Sequence, residues 1–313
     1  MAMNRSDRLG ESGLMGVLPL WKPKGMTSHD CVSRVRRLLN VKKAGHTGTL
    51  DPGVTGVLPI AVGEATKIIQ FLQDDWKEYE AQIALGMSTT TQDAEGEIVA
   101  QKPVAEPIPR ERILAVLKKF EGDILQTPPM FSAIKVDGKR LYEYAREGKT
   151  IERKSRRVHI KEIELLDGDR IFSGNPLRFS IRVRCSKGTY IRTLSVMIGE
   201  ALGYPAHMAE LVRTECAGIR RETCVSLPKL EEAAKNGEAE SFFLSIEKVL
   251  ENLPKWEVSD SLSARVKNGA IFRSPFDRVS GPVAVTHLGK IIAVYERHPG
   301  KPDLIKPIRV LNR

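Results

Sequence analysis

The chain has 313 residues, 41% hydrophobic and 28% charged, enough for a sizeable core and more length than one core usually serves. Lys and Arg outnumber Asp and Glu by 49 to 39, the balance of a protein that meets a polyanion, nucleic acid before an anionic membrane. No apolar run approaches the roughly 20 residues that span a bilayer, and the polar stretch Met1–Gly16 lacks the apolar centre of an export signal.

Gly16–Trp21 reads as a short strand ending in a Lys-Pro turn, after which Thr27 or Ser28 caps a helix with Val32, Val35, Leu38 and Leu39 on its apolar face. Ala44–Gly56, rich in Gly and Thr, cannot stay regular for long. Val57–Val62 reads as a buried strand, Glu64–Gln73 as a helix and Glu78–Gly86 as an alternating strand. Ser88–Glu97 is expected to turn, and Pro109–Phe120 is an amphipathic helix. Lys135–Arg157 holds nine basic residues against four acidic, with Tyr142 and Tyr144 between them. A spacing of two cannot put both tyrosines on one side of a helix, so at least one is expected in the core. Phe179–Cys185 alternates as a strand; a loop at Ser186–Tyr190 then leads into a helix near Thr193–Leu202 that stops at Gly203. From Pro254 onward, short apolar runs broken by Gly and Pro suggest a small β-rich module carrying 11 basic and five acidic residues. None of the four cysteines forms a CxxC pair, and His is too scattered for a zinc site, so reduced thiols in a cytoplasm are expected.

The segment Gly45-His46-Thr47-Gly48-Thr49-Leu50-Asp51-Pro52-Gly53 is the most unusual. Asp51 is the only carboxylate between Asp30 and Glu64, with Arg34, Arg36, Arg37, Lys42, Lys43 and His46 near it in sequence. Asp-Pro-Gly is good turn chemistry, and a turn is all the spacing requires. The functional reading is a carboxylate presented from a rigid loop, kept ionised by positive charge and able to act as a nucleophile. Lys187-Gly188-Thr189-Tyr190-Ile191-Arg192-Thr193 sets an aromatic and an arginine at a strand-to-helix junction. In isolation that is a Gly turn with a surface Arg; functionally, Arg192 pairs with a carboxylate while Tyr190 stacks on a base. Tyr79 in Lys77-Glu78-Tyr79 is by itself a core residue.

Together these blocks closely resemble the bacterial tRNA pseudouridine-55 synthases, the TruB family of pseudouridine synthases. The resemblance rests on GHTGTLDPGVTGVLPIAVGEATK at Gly45–Lys67, on Lys22-Pro23-Lys24-Gly25-Met26-Thr27-Ser28, and on Lys77-Glu78-Tyr79. It continues through Pro128–Gly148, Ser186–Thr193 and Glu210-Leu211-Val212-Arg213, in family order over most of residues 15–215. It implies an α+β fold, a catalytic domain on a mixed, largely antiparallel sheet over residues 1–250 with an RNA-gripping insertion at about 128–157. It also implies a small β-barrel-like, PUA-like RNA-binding module over 254–313, a match carried more by position, size and charge than by residues.

By the same resemblance Asp51 is the essential aspartate and Arg192 holds it in an ion pair. Tyr79 stacks on the target base and helps a proton move, and Tyr190 and Leu211 line the pocket. His46 enters the T loop, and Lys22 lies at the same cleft. The implied reaction frees the base of a uridine from sugar C1′ at N1, turns it, and re-joins it at C5. A flipped base needs replacement stacking, a carboxylate for the cleavage, and a closed apolar lining that keeps the detached base in place. Whether Asp51 attacks C6, attacks C1′ or acts as a base stays open. No metal or organic cofactor is required. The expected partner is the T arm of tRNA, with no membrane, no guide RNA and no second subunit. Two other functions fit parts of the sequence: a tRNA-binding folding factor with little catalysis, and a guide-dependent synthase subunit. The intact Asp51, Tyr79 and Arg192 set speaks against the first, and the continuous basic element against the second.

Overall fold

The computed structural model describes residues 13–73, 76–276 and 281–311, so the polar stretch at 1–12 lies outside the described residues. The fold is α+β, built on one nine-stranded mixed sheet. Its main strands are β1 (Gly16–Lys22), β2 (Thr55–Val62), β3 (Lys77–Leu85), β4 (Gly122–Gln126), β5 (Arg156–Leu165), β6 (Leu177–Cys185) and β7 (Ala206–Cys216). In space they run β1-β2-β7-β3-β6-β5-β4, with Ala44–His46 added on β2 and Ile219–Arg220 on β7. Every pairing is antiparallel except β7 on β2, where Val212 meets Thr55 and Arg213 meets Gly56.

Period-two patterning decides which face is covered. Along β3, β6 and β5 the inward residues Tyr79, Ala81, Ile83, Phe179, Ile181, Val183, Ile160 and Ile163 join one core. The helices α2 (Arg110–Lys118) and α3 (Ile191–Leu202) close it through Ile113, Val116, Leu194 and Ile198. The opposite face of the same strands is charged: Arg182 pairs with Glu80 at 2.9 Å and Glu164 at 3.4 Å, and Arg184 with Glu215 at 3.1 Å. That face stays in water. The β1–β2 end is covered on both sides, by α1 (Ser28–Leu39) with Leu230 and Ala233 on one, and by Ile68, Leu72, Ile246 and Leu250 on the other.

The parallel contact in the middle depends on one glycine. Gly56 has φ +131°, and a Cβ there would lie 2.3 Å from the carbonyl oxygen of Arg213 and 2.6 Å from its nitrogen. Gly56→Ala is therefore expected to force β2 and β7 apart and cost more than about 4 kcal/mol, the range of backbone strain combined with overpacking. Urea unfolding measures it, and a loss under about 1 kcal/mol would show that the strands separate easily.

The C-terminal part forms a five-stranded sheet: β8 (Lys255–Glu257), β9 (Phe272–Arg273), β10 (Val283–His287), β11 (Lys290–His298) and β12 (Lys301–Val310), in the order β8-β10-β11-β12-β9. One side packs its own core of Val258, Val266, Val285, Ile292, Tyr295 and Ile305. From the other side Ala284, Ile291, Val294 and Leu311 join the core that holds Val17 and Val57. A small curled sheet of this kind is consistent with a PUA-like module. Among the described residues no helix is long and apolar enough to cross a membrane.

One local expectation is corrected and one is narrowed. Neither tyrosine of the basic element enters the core: both Tyr142 and Tyr144 are half-buried. Arg140 and Arg146 lie over the Tyr142 ring and Lys139 over the Tyr144 ring. Tyr144 donates its hydroxyl to the Val136 carbonyl at 3.2 Å, so the hydroxyl is spent within the element while cations lie over the rings. And of the two capping candidates, Thr27 is the N-cap, in a reciprocal box with Asp30, which frees Ser28 for another task.

Candidate active site

The loop between Ala44–His46 and β2 carries Asp51, and it is held by buried polar side chains. Ser28, turned inward from the first turn of α1, accepts from the Leu50 amide at 2.8 Å and donates to its carbonyl at 3.2 Å. Lys22, with no exposed surface, gives its ammonium to the carbonyls of Pro23 (3.0 Å), Pro52 (3.2 Å) and Val54 (2.6 Å), one for each proton. Arg213 donates to the carbonyls of Gly48 at 3.1 Å and Val57 at 2.8 Å. Leu50 and Val54, on either side of Asp51, are buried in the core that contains Tyr79. The loop is irregular and still fixed.

Lys22 thus serves the loop backbone in this structure. Burial lowers its pKa against the raising effect of Cys31 and Asp51. Lys22→Met is expected to leave three carbonyls facing an apolar chain and to destabilise the protein by about 2–4 kcal/mol, a fall in Tm of roughly 5–10 °C. Calorimetry reads it; an unchanged Tm would mean that the ammonium holds nothing.

Arg192, in the first turn of α3 and 5% exposed, collects four partners. One Nη pairs with Asp51 at 3.1 Å and donates to the Phe131 carbonyl at 2.8 Å. The other donates to the Thr91 carbonyl at 3.0 Å and lies 3.7 Å from the Asp93 carboxylate. Asp93 was not singled out by sequence: it sits in the Ser88–Glu97 turn, a polar stretch with no pattern of its own. That turn is built tightly. Gln92 takes a left-handed φ of 64°, its side chain accepts from the Thr193 hydroxyl at 2.9 Å, and its carbonyl accepts from the Met208 amide at 3.0 Å.

Burial pushes the Asp51 carboxyl above its ordinary value; Arg192 opposes the rise, Asp93 adds to it and Lys22 opposes it. The positive charge that counts therefore comes from Arg192 and Lys22, not from the sequence neighbours on α1, of which Arg34 pairs with Glu231 at 2.7 Å. Although 43% of the Asp51 side chain opens onto the cleft, protein encloses enough of it for desolvation to win.

Tyr79 on β3 is 7% exposed, and burial pushes its phenol up to about 12. Leu211 on β7 is half-buried against the same core. Tyr190 caps α3, half-buried, with its backbone N–H and carbonyl both bonded to the side chain of buried Gln126 at 3.0 and 3.2 Å. The Arg156 guanidinium lies 4.8 Å from the centre of the Tyr190 ring. His46 is half-buried, its pKa lowered first by burial and then by the Arg213 and His29 charges, so it stands neutral near pH 7. Gln126 begins the connection to the basic element, whose two ends are tied together. Thr127 and Ser155 share a hydroxyl hydrogen bond of 2.8 Å, Arg153 donates to the Pro128 carbonyl at 3.0 Å, and Arg156 donates to the Gly188 carbonyl. Among the described residues no group of three His, Cys, Asp or Glu is placed to hold a metal ion.

This arrangement offers a half-exposed carboxylate, Asp51, held by an arginine that also meets the more buried Asp93, on a loop anchored in the apolar core that supplies a tyrosine. A family model described as TruB family pseudouridylate synthase (N terminal domain) matches residues 36–191, and one for the tRNA pseudouridylate synthase B C-terminal domain matches residues 192–253. The tRNA pseudouridine synthase B of Geobacillus thermodenitrificans is 52% identical over 94% of this chain and 99% of its own length. That of Geobacillus kaustophilus is 57% identical over 83% of this chain and 91% of its own. Among solved structures, a Cbf5-Nop10-Gar1 complex gives 33% identity and a TM-score of 0.69, covering 90% of this chain and 78% of that one. An archaeal box H/ACA sRNP Nop10-Cbf5 complex gives 31% identity and a TM-score of 0.70, covering 94% and 85%. On its matched domains and on relatives that share half its residues over nearly its whole length, this chain belongs to the TruB family of pseudouridylate synthases.

Proposed function

We propose that the protein isomerises uridine 55 in the T loop of tRNA to pseudouridine, with Asp51 as the catalytic carboxylate and no guide RNA. The observation that carries this reading is the Asp51–Arg192 pair at 3.1 Å, on a loop whose Leu50 and Val54 are buried in the core that contains Tyr79. Relatives named tRNA pseudouridine synthase B, at 50% identity or more, support tRNA as the substrate.

Each residue then has a task. The target base leaves its stack at a cost of a few kcal/mol, and the ring of Tyr79 replaces part of the lost stacking. Asp51 supplies the charge that drives cleavage of the C1′–N1 bond, and Arg192 orients it. Leu211 and Tyr190 wall in the freed base while it turns, so that C5 and not bulk water meets C1′. His46, neutral and beside the loop, occupies the gap that the flipped uridine leaves. The basic element at 128–157 meets phosphates, and the net +6 of the segment 254–313 adds a second contact to RNA. The protein works as a monomer in the cytoplasm, with no organic cofactor or metal.

Tritium release from a tRNA transcript carrying 5-tritiated uridine tests the reading, because forming a bond at C5 expels its hydrogen. Release from the native chain, mapped to uridine 55, is the expected result. Tight tRNA binding with no release would overturn it and leave a tRNA-folding factor in its place.

A further inference from the structure

Arg213 is 1% exposed, among the largest fully buried side chains in the protein, and none of the tasks above uses it. Its hydrogen bonds go to the carbonyls of Val57 and Gly48 rather than to a carboxylate, and its charge acts on the phenol of Tyr79, its cross-strand neighbour. A guanidinium buried among neutral acceptors is an expensive way to satisfy two carbonyls. The sheet explains what it achieves. Arg213 stands on β7 opposite Tyr79 on β3 and opposite Gly56 on β2, so it occupies the strand between the tyrosine and the exit of the Asp51 loop. Gly56 lacks the Cβ that would hold β2 away from it. The planar fork of an arginine fixes the mutual geometry of its partners, as a lysine on a flexible stem cannot.

We propose that Arg213 is a positioning residue for the isomerisation, joining the Tyr79 phenol to the backbone of the loop that carries Asp51. The inference rests on the reading of the site given above. A phenol has one proton to donate, and its oxygen accepts. A guanidinium donating to that oxygen would leave the Tyr79 proton free for a bound base. The other titratable groups facing Tyr79 are the thiols of Cys185 on β6 and Cys216 on β7, and both oppose the guanidinium's effect on the phenol. Burial outweighs the guanidinium, so the phenol keeps its proton and can donate it. Through Gly48 the same side chain holds the loop three residues before Asp51.

The test is a double-mutant cycle. Single-turnover rate, tRNA Kd and Tm are measured for Arg213→Lys and Arg213→Gln, each with Tyr79 and with Tyr79→Phe, with the native chain's tritium release as control for the reading itself. Arg213→Lys is expected to slow turnover about ten- to a hundredfold with Kd within about threefold. In the Tyr79→Phe background it is expected to add less than about threefold, because the oxygen it addresses is gone. Equal slowing in both backgrounds, or a rate loss that follows Kd or Tm, would overturn the proposal. Should the Arg213 variants not fold, or Tyr79→Phe be too slow to time, nitrogen-15 NMR of the arginine side chains decides. Tyr79→Phe keeps the ring and is expected to displace the Arg213 guanidinium resonances, and unmoved resonances sink the idea. A native chain that releases no tritium fails the functional reading and is distinguished from all of these.

Discussion

Asp51→Asn is expected to bind tRNA within about twofold of the native chain while tritium release falls by more than about 10⁴-fold, as when the acting group of a site is removed and its shape kept. The amide still accepts from Arg192 and fills the same volume, so the loop held by Ser28, Lys22 and Arg213 has no reason to move. Stability is expected to hold or to rise slightly. Burial raises the Asp51 pKa in the fold, so the folded state keeps this proton to a higher pH than the unfolded chain does. As pH climbs from the unfolded value through the raised one, stability is lost, and an uncharged Asn escapes that loss. Activity runs the other way: it needs the carboxylate and fades as pH falls through the raised value, above the ordinary carboxylate range. A binding assay, tritium release against pH and a melting curve check the three statements. Release above about 1% of native would remove Asp51 from the chemistry.

Arg192→Met is expected to fail on two counts. Losing the guanidinium leaves Asp51 and Asp93 facing each other without their shared cation, and the carbonyls of Thr91 and Phe131 without a donor. Breaking a buried ion pair costs about 3–5 kcal/mol, and the open side of Asp51 puts this case at the low end, a drop of roughly 5–10 °C in Tm. Turnover is expected to fall about 10²- to 10³-fold. The acid limb of the pH profile is expected to move to higher pH, because the removed charge was opposing the rise in the Asp51 pKa. Arg192→Lys recovers only part, since one ammonium cannot reach four partners held by a planar fork. An acid limb that stays where it was would show that Arg192 does not govern the carboxylate.

Where an element carries an apolar face or a continuous apolar run, sequence pattern located it: β1, β2, β3 and β6 and the helices α1, α2 and α3 all stand within a few residues of their expected places. The strands that escaped notice break the simple pattern in different ways. β7 buries His207, Arg213 and Glu215 in its alternation, and β5 reads as the end of a basic run because Arg157, His159 and Lys161 point to solvent. The site shows the same divide. Asp51, Tyr79 and Arg192 were legible only as separate unusual residues that a family pattern joined. What holds them, Ser28 to Leu50, Arg213 to Gly48 and Arg192 to the Thr91–Asp93 turn, are contacts between distant parts of the chain, and a buried polar side chain does not announce its partner. The basic surroundings of Asp51 were read from sequence neighbours, yet its cations arrive from β1 and α3.

The ties at Thr127–Ser155, Pro128–Arg153 and Gln126–Tyr190 have a thermodynamic consequence. A basic loop of this length left free would surrender much of its conformational entropy when it gripped an RNA, at roughly 1–2 kcal/mol for each backbone residue ordered. Fastened at its base, and with the Phe131 carbonyl pinned by Arg192, the element has already given up most of that freedom on folding. Its lysines and arginines therefore meet phosphate with little left to order, and the electrostatic attraction goes into affinity rather than into arranging the chain.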